Sequence, residues 1–346
     1  MGAGTAQRGA CLLISGKVRK NMEFVVFAGV LLLLFIFMIV QELIQTKNQE
    51  KLFKKYLREN YGKEPPKEYS LERFARLGSY LERHKEEKQL DDITWNDLGM
   101  DEVFRRIDRT YSAAGEEYLY YTLRNISCGR EALEHLEEVV NWLQEQENIK
   151  VRIQLLMKRL GHLGKYSLYD YLDNLDYLGE RSNRKIVLGN LLYLPFLLLL
   201  FVQPAMGTIG IVLCMLWHIM TYFREKKVIE PYIISFAYVL RLIDVCEELE
   251  KQKIPVYRRE LDELREALKS LRELRRGAYW VMAGNQGKIG GNPLDILADY
   301  LRMILHLDIF QFNRMLEKLR KKTGQVETML AITGYLDMAI SVGGFR

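Results

Sequence analysis

The chain of 346 residues is predicted to be an all-α protein that is attached to a membrane by three transmembrane helices. Two apolar segments, residues 24–44 and 186–223, are long enough to enter a bilayer, because one crossing needs about 20 apolar residues. Outside them, apolar residues recur at helical spacings of three and four, and only seven prolines interrupt the chain. We find no convincing series of alternating strands. The expected architecture is therefore a helical domain with one N-terminal span and one central hairpin.

The N-terminal span follows a tail of residues 1–23. Phe24–Val40 is an uninterrupted apolar run, and the apolar character continues to residue 44. A cleaved signal peptide has a shorter apolar core, about 7 to 15 residues, and small residues follow it. Here the run is followed by Gln41-Glu-Leu-Ile-Gln-Thr-Lys47, which offers no such cleavage site. We therefore interpret residues 24–44 as an uncleaved transmembrane anchor.

The central apolar segment, Ile186–Phe223, is long enough for two crossings. Gln203-Pro204, Gly207 and Gly210 lie at its middle. Because proline and glycine break helices and reverse the chain, we expect a helical hairpin with its tip near residues 203–207.

Basic residues flank both ends of this hairpin, namely Arg181, Arg184 and Lys185 before it and Arg224, Lys226 and Lys227 after it. Lysine and arginine in short loops stay on the cytoplasmic side of a membrane. Residues 47–180 and 226–346 are therefore expected in the cytoplasm of a multi-pass cell-membrane protein, with the hairpin tip and the N-terminus outside. Basic residues lie on both sides of the first span, and a start at Met22 instead of Met1 would remove those before it.

Residues 45–89 are predicted to form juxtamembrane helices and a linker. A charged helix over Lys47–Lys63 would end at Pro65-Pro66, and a second helix would cover Leu71–His84. Further along, residues 130–150 and 151–163 are predicted as two amphipathic helices. The apolar stripe of the first one consists of Leu133, Leu136, Val140 and Leu143.

Residues 224–282 are expected to form long helices that pack as an antiparallel pair. The glycine-rich segment Ala283–Gly291 would connect them to the C-terminal helices. Asn292 and Pro293 are typical of a helix N-cap and first helical position. We predict helices over Pro293–His306, Phe310–Lys322 and Gln325–Ser341.

No residue pattern indicates catalysis. Gly287-Lys288 lies in the glycine-rich connector, but a P-loop needs Ser or Thr after its lysine, and Ile289 stands there. Cys214 and His218 share a helix face, but two ligands do not complete a zinc site. We therefore expect no catalytic residue, no metal site and no cofactor in this chain, and no ATP hydrolysis by the chain alone.

The charge pattern predicts one candidate binding surface. The net charge of +5 is mild, and four scattered cysteines do not predict a disulfide framework. A local basic cluster could contact the phosphates of nucleic acid or of anionic lipid, and its members are Arg314, Lys318, Arg320, Lys321 and Lys322. The alternative is a solvated helix end, because basic side chains suit the negative end of a helix dipole.

Three segments together resemble the helical core domain of MutS-type mismatch-repair ATPases. They are Asp108–Leu119, the helices of residues 130–172, and Leu330–Val342. The positions that match the family pattern are Asp108, Thr110, Gly115 and Leu119 in the first segment and Asp337 in the last. The resemblance implies that residues 90–180 and 283–346 form two parts of one core, with residues 224–282 in the place of the family's lever helices.

This resemblance implies a membrane-anchored core module that couples an ATPase to DNA or membrane partners and forms a homodimer. In that family the ATPase domain follows the core, so ATP and Mg²⁺ are expected only for a domain beyond Arg346 or for another chain. The membrane hairpin stands where the family has its DNA clamp. Two alternatives remain open: a membrane scaffold, and a nucleic-acid-binding protein of the membrane surface, neither with an ATPase role.

Overall fold

The computed structural model describes residues 36–63, 69, 71–85, 88–126, 129–163, 167–275 and 293–346. The chain divides into two compact units, with the boundary between Asn60 and Tyr61. In the first unit, residues 36–60 form a helix, α1.

The second unit holds all the other helices of the described residues. They are α2 (Leu71–Arg83), α3 (Asp92–Asp97), α4 (Met100–Ile107), α5 (Ala113–Arg124), α6 (Arg130–Glu145), α7 (Glu147–Leu160), α8 (Leu168–Asp173), α9 (Arg184–Leu191), α10 (Tyr193–Val202), α11 (Pro204–Glu250), α12 (Arg258–Leu271), α13 (Pro293–Leu305), α14 (Leu307–Leu319) and α15 (Thr323–Phe345). Short 3₁₀ turns cover Leu175–Leu178, Pro255–Tyr257 and Arg272–Arg275.

The predicted all-α class is confirmed. Throughout the described ranges no strand forms, and the extended pairing there is a single bridge between Gln89 and Asn125. The expected first span lies partly outside the described residues, since only its residues 36–44 are included. They continue into the charged segment as one helix, so the predicted juxtamembrane helix does not begin separately at Lys47. Pro65-Pro66 and the connector Ala283–Gly291 with Lys288 also lie outside the described residues.

Three helical stretches of the described residues are long and apolar enough to cross a membrane: Arg184–Val202, Pro204–Glu230 and Thr323–Phe345. The first two are the arms of the predicted hairpin and are largely exposed, whereas the third is mostly buried inside the domain. A helix that is apolar on all sides suits either lipid or a protein core. Because α15 packs against α4, α5, α6, α7, α11 and α12, its apolar surface serves the core.

The core is built around α15 in two apolar clusters. The larger one joins α15 to α6, α7, α11, α12 and α14, with Phe236, Ile243 and Phe312 among its fully buried side chains. The smaller one lies under α2 and α4, where Trp95 and Phe104 pack against Leu119. The α15 helix also contributes Met338 to this second cluster, so it links both.

The hairpin differs from its prediction at its C-terminal end. The chain does break at Gln203, which leaves helical geometry just before Pro204. The second arm, however, does not end near Phe223, because α11 continues without interruption to Glu250. The first part of the predicted lever-like segment, residues 224–282, is therefore continuous with the second arm of the hairpin.

One further helix boundary and the apolar stripe of α6 are corrected. The helices predicted over 130–150 and 151–163 meet at Gln146 instead of Lys150, because Gln146 is the residue that leaves helical backbone geometry. Within the predicted stripe of α6, Val140 and Leu143 are buried, but Leu133 is exposed. Val139 takes part in the core instead, since α6 turns that side towards α15.

Candidate functional site

A buried polar junction joins the segment between α4 and α5 to the middle of α15. The Asp337 carboxylate accepts hydrogen bonds from the backbone N–H groups of Tyr111 (3.0 Å) and Ser112 (2.8 Å) and from the Ser112 hydroxyl (2.6 Å). Ser112 is also the N-cap of α5, and its Oγ accepts a bond from the Gly115 N–H. The negative side chain therefore lies at the positive end of the α5 dipole, where an anion is stabilised.

One helical turn further along α15, Ser341 bonds to the same segment. Its hydroxyl donates to the Ile107 carbonyl and accepts from the Arg109 N–H, both at 2.7 Å. Side chains four residues apart share one helix face. Asp337 and Ser341 therefore satisfy the backbone groups that α4 leaves at its end and α5 leaves at its start.

The close contact between α5 and α15 requires glycine at two positions. A Cβ atom at Gly115 would lie 2.6 Å from the Asp337 Cβ, and one at Gly334 would lie 2.6 Å from the Ala114 carbonyl oxygen. Both distances are far below van der Waals contact. Gly115 therefore allows the Asp337 carboxylate to reach the start of α5.

Asp108 organises the same segment locally. Its carboxylate accepts bonds from the Thr110 N–H (3.0 Å), the Thr110 hydroxyl (2.5 Å) and the Tyr69 hydroxyl. Arg73 lies 3.8 Å from the carboxylate. Asp108 and Thr110 are fully buried, so these bonds replace the water that both groups lose on folding.

Two consecutive buried glutamates on α5 extend the junction towards α2 and α8. Glu116 pairs with Arg73 at 2.5 Å and with Arg76 at 2.7 Å. Glu117 accepts a 2.8 Å bond from the Ser167 hydroxyl. Desolvation raises the pKa of Glu117 to about 8, although Ser167 and Arg76 act in the opposite direction. Glu117 is therefore mostly protonated in the folded protein at neutral pH.

This arrangement holds helices together. The carboxylates of Asp108, Glu116 and Asp337 are buried and already accept bonds from protein donors. Four of the five residues of the family pattern, Asp108, Thr110, Gly115 and Asp337, meet here across more than 200 positions of sequence. The fifth, Leu119, is fully buried in the smaller apolar cluster beside them.

Sequence reasoning missed several members of the junction: Tyr69, Arg73, Glu116, Glu117, Ser167 and Ser341. Three of them carried a signal. Glu116 and Glu117 form an acidic pair within an otherwise small and apolar helix start, and Ser341 follows Asp337 by one helical turn. The partners from α2 and before α8 could not be inferred, because they are distant in sequence.

The predicted basic cluster is only partly available for a ligand. Three of its five side chains bind within the protein: Lys318 to Glu273, Arg320 to the carbonyls of Leu175 and Gly179, and Lys322 to the Ser270 carbonyl. Arg314 and Lys321 are exposed. Most of these basic side chains thus bind α14 and its C-terminal end to other segments of the same chain.

The hairpin has the dimensions of a bilayer. About 30 Å of helix separates Pro204 from Arg224 on α11, and about 27 Å separates Arg184 from Val202 on the other arm. The hydrocarbon core of a bilayer is about 30 Å thick. Arg184 and Arg224 therefore mark the same end of the hairpin, and the break at Gln203 marks the other.

Glycines bring the two arms together, which corrects their predicted role at the tip. Gly207 and Gly210 lie inside α11. A Cβ at Gly207 would lie 2.6 Å from the Leu200 backbone nitrogen, and one at Gly210 would lie 2.8 Å from the Phe196 Cγ. Small residues allow such close packing of helices in lipid. The outer faces carry exposed apolar side chains such as Leu198, Phe201 and Leu213.

Cys214 and His218 both lie buried on α11, but each has a structural partner. The His218 Nδ1–H donates to the Ile304 carbonyl at 3.1 Å, and the Cys214 thiol lies beside the Tyr193 hydroxyl. Among the described residues, no group of three or more His, Cys, Asp or Glu side chains could hold a metal ion.

Comparisons with known proteins add no relative. No family model, no curated protein and no solved structure matches this chain.

Proposed function

We propose that this chain is the membrane-anchored core module of a MutS-related protein. In this proposal the hairpin crosses the cell membrane, the helical domain lies in the cytoplasm, and α11 transmits displacement between them. The domain works with an ATPase domain or chain that supplies ATP and Mg²⁺ chemistry. DNA and a second copy of the chain are the other partners that the resemblance implies.

The observation that carries this proposal is the junction between α5 and α15. Two of the three segments that carry the resemblance are separated by more than 200 residues, including the hairpin. Asp337 from the later segment bonds directly to the backbone next to Asp108, Thr110 and Gly115 in the earlier one. A hairpin inserted into a single core would leave such a junction intact.

The coupling role is supported by α11. This helix has 47 residues, and its first half presents exposed apolar side chains while its second half is enclosed by the domain. Ile229, Phe236, Ile243 and Leu249 are buried along it. A helix without a break transfers a shift of the hairpin directly to the helices packed around its second half, including α7, α12 and α15.

Hydrogen exchange tests this coupling. Gly207→Ala introduces a methyl group against the Leu200 backbone, so the hairpin arms must move apart. Leu216→Ala, at an exposed position of the same helix, is the matched control. We expect Gly207→Ala to change amide exchange in α12 and α15 of the full chain in nanodiscs, and the control to leave it unchanged. A change confined to residues 184–230 would contradict the coupling and favour a membrane scaffold.

A further inference from the structure

The C-terminal end of α13 is held by polar side chains from both arms of the hairpin. The Asn190 side-chain amide donates to the Leu305 carbonyl at 3.1 Å. On the other arm, the His218 Nδ1–H donates to the Ile304 carbonyl at the same distance. The last carbonyls of a helix have no partner within it, so these two side chains cap α13.

Both capping side chains lie at the same depth in the hairpin. Asn190 follows Arg184 by six residues, and His218 precedes Arg224 by six residues. Six helical residues span about 9 Å. The end of α13 therefore lies about 9 Å inside the basic ends of the hairpin, beside segments that are long and apolar enough to cross a membrane.

The chain then turns back towards the domain. His306 adopts a left-handed conformation with φ of 53°, and its Nε2–H donates to the His218 carbonyl at 3.2 Å. Asp308, in the first turn of α14, accepts a 2.8 Å bond from the Tyr222 hydroxyl. Backbone can bend at membrane depth only where protein groups satisfy its hydrogen bonds, and the carbonyls of Ile304, Leu305 and His306 all have such partners.

Asp299, Tyr300 and Leu301 are the exposed side chains in the described part of α13. Tyr300 and Leu301 are 55% and 45% exposed. Arg302, in contrast, is buried and pairs with Asp299 at 3.0 Å. Tyr300 and Leu301 thus continue the exposed apolar surface of the hairpin.

We propose that α13 is embedded in the bilayer leaflet at the basic ends of the hairpin, with Tyr300 and Leu301 against the acyl chains. The partner of this surface is lipid hydrocarbon. The inference rests on the proposed insertion of the hairpin and adds a membrane element that does not cross the bilayer. Asn190 and His218 then serve to cap a helix end where water is absent.

Depth-dependent fluorescence quenching tests this placement. The full chain, with its four cysteines replaced by alanine, is reconstituted into vesicles of phosphatidylcholine and phosphatidylglycerol. A bimane label is placed by Leu301→Cys, by Leu213→Cys on the hairpin, or by Ile93→Cys on α3. Leu213 and Ile93 are both exposed apolar residues, so they serve as lipid and water controls. Lipids with shallow or deep doxyl groups and aqueous iodide are the quenchers.

We expect the label at residue 301 to be quenched by shallow doxyl lipid and protected from iodide. The label at residue 213 should be quenched by doxyl lipid, and the label at residue 93 should be quenched by iodide. Quenching of 301 by iodide alone, with 213 still quenched by lipid, would overturn the placement of α13 but not the membrane anchor. Quenching of 213 by iodide alone would overturn both. When His218→Leu is added to Leu301→Cys, iodide quenching of the label at residue 301 should increase, because His218 no longer caps α13.

Discussion

At the scale of single residues, the junction between α5 and α15 depends on how closely Asp337 approaches the start of α5. The carboxylate bonds to two backbone N–H groups and one hydroxyl, and the absence of a side chain at Gly115 leaves room for it. Charged hydrogen bonds of this kind contribute more than neutral ones, and a buried partner left unsatisfied costs free energy. The junction should therefore be sensitive to a single methyl group.

Gly115→Ala is expected to lower the free energy of unfolding by about 1 to 3 kcal/mol, because the added Cβ overlaps Asp337. Gly324→Ala on α15 is the matched control. A Cβ at Gly324 meets no atom within 4 Å, and alanine favours a helix over glycine. Denaturant unfolding in detergent micelles measures both. Equal stability of the two variants would show that Asp337 does not need the space at Gly115.

Glu117 predicts a pH dependence of stability. Its folded pKa of about 8 lies above its usual value of 4.5, so the unfolded chain releases the proton first as the pH rises. Below pH 4.5 the carboxyl is protonated in both states, so its ionisation does not change the free energy of unfolding. Between pH 4.5 and pH 8 the free energy of unfolding falls, on the order of 1 kcal/mol per pH unit.

Glu117→Gln should remove this dependence. The variant is expected to melt at a higher temperature than the parent at pH 8.5 and at nearly the same temperature at pH 4.5. Glu131→Gln, at an exposed site in the first turn of α6, is the control. If the parent protein and Glu117→Gln melt at the same temperature at every pH, the raised pKa of Glu117 is contradicted.

At the scale of elements, the main finding is that one continuous helix contains both an exposed arm that is long and apolar enough to cross a membrane and a segment packed inside the domain. The charges at Arg224, Lys226 and Lys227 mark a change of surroundings, and the backbone continues through it. The α15 helix shows the converse. Its composition suits a membrane, but neighbouring helices cover it.

A distance measurement tests the continuity of α11. Nitroxide labels at Leu213→Cys and Glu247→Cys are separated by 34 residues, which correspond to about 51 Å of helix. Pulsed electron resonance on the chain in nanodiscs should give one narrow distribution near that length. A broad or much shorter distribution would mean that the hairpin and the domain are joined by a hinge after Phe223.

At the scale of the whole molecule, the sequence predicted the class and the order of segments well. Pro204 identified the hairpin break, and the spacing of apolar residues identified most helices. The union of the hairpin with residues 224–250 was not predicted, because the change from apolar to charged residues resembles the end of a helix. The partners of Lys318, Arg320 and Lys322 were also missed, since Glu273, Leu175 and Ser270 come close only in the folded chain.

Binding of duplex DNA is the prediction that separates the proposed function from a membrane scaffold. Arg314 and Lys321 are the exposed members of the basic cluster, so Arg314→Glu with Lys321→Glu should weaken binding by the full chain in nanodiscs. The slope of log affinity against log salt should fall by about 1.8, or about 0.9 for each phosphate contact. Arg259→Glu with Lys269→Glu on α12 is the control. If fluorescence anisotropy detects no DNA binding at any salt concentration, the DNA role is contradicted, and anionic lipid or a solvated helix end remains as the explanation of this basic cluster.

The most direct test of the whole account is the side of the membrane on which each end of α11 lies. Cys246 cannot report it, because its thiol is fully buried. Single cysteines at Gln203, the exposed hairpin tip, and at Lys269, on the exposed face of α12, are suitable in a cysteine-free chain. With an impermeant maleimide on intact cells, we expect labelling at 203 and none at 269 until the membrane is opened. Labelling of 269 in intact cells, or protection of 203, would contradict a hairpin that crosses the membrane and carries a cytoplasmic domain.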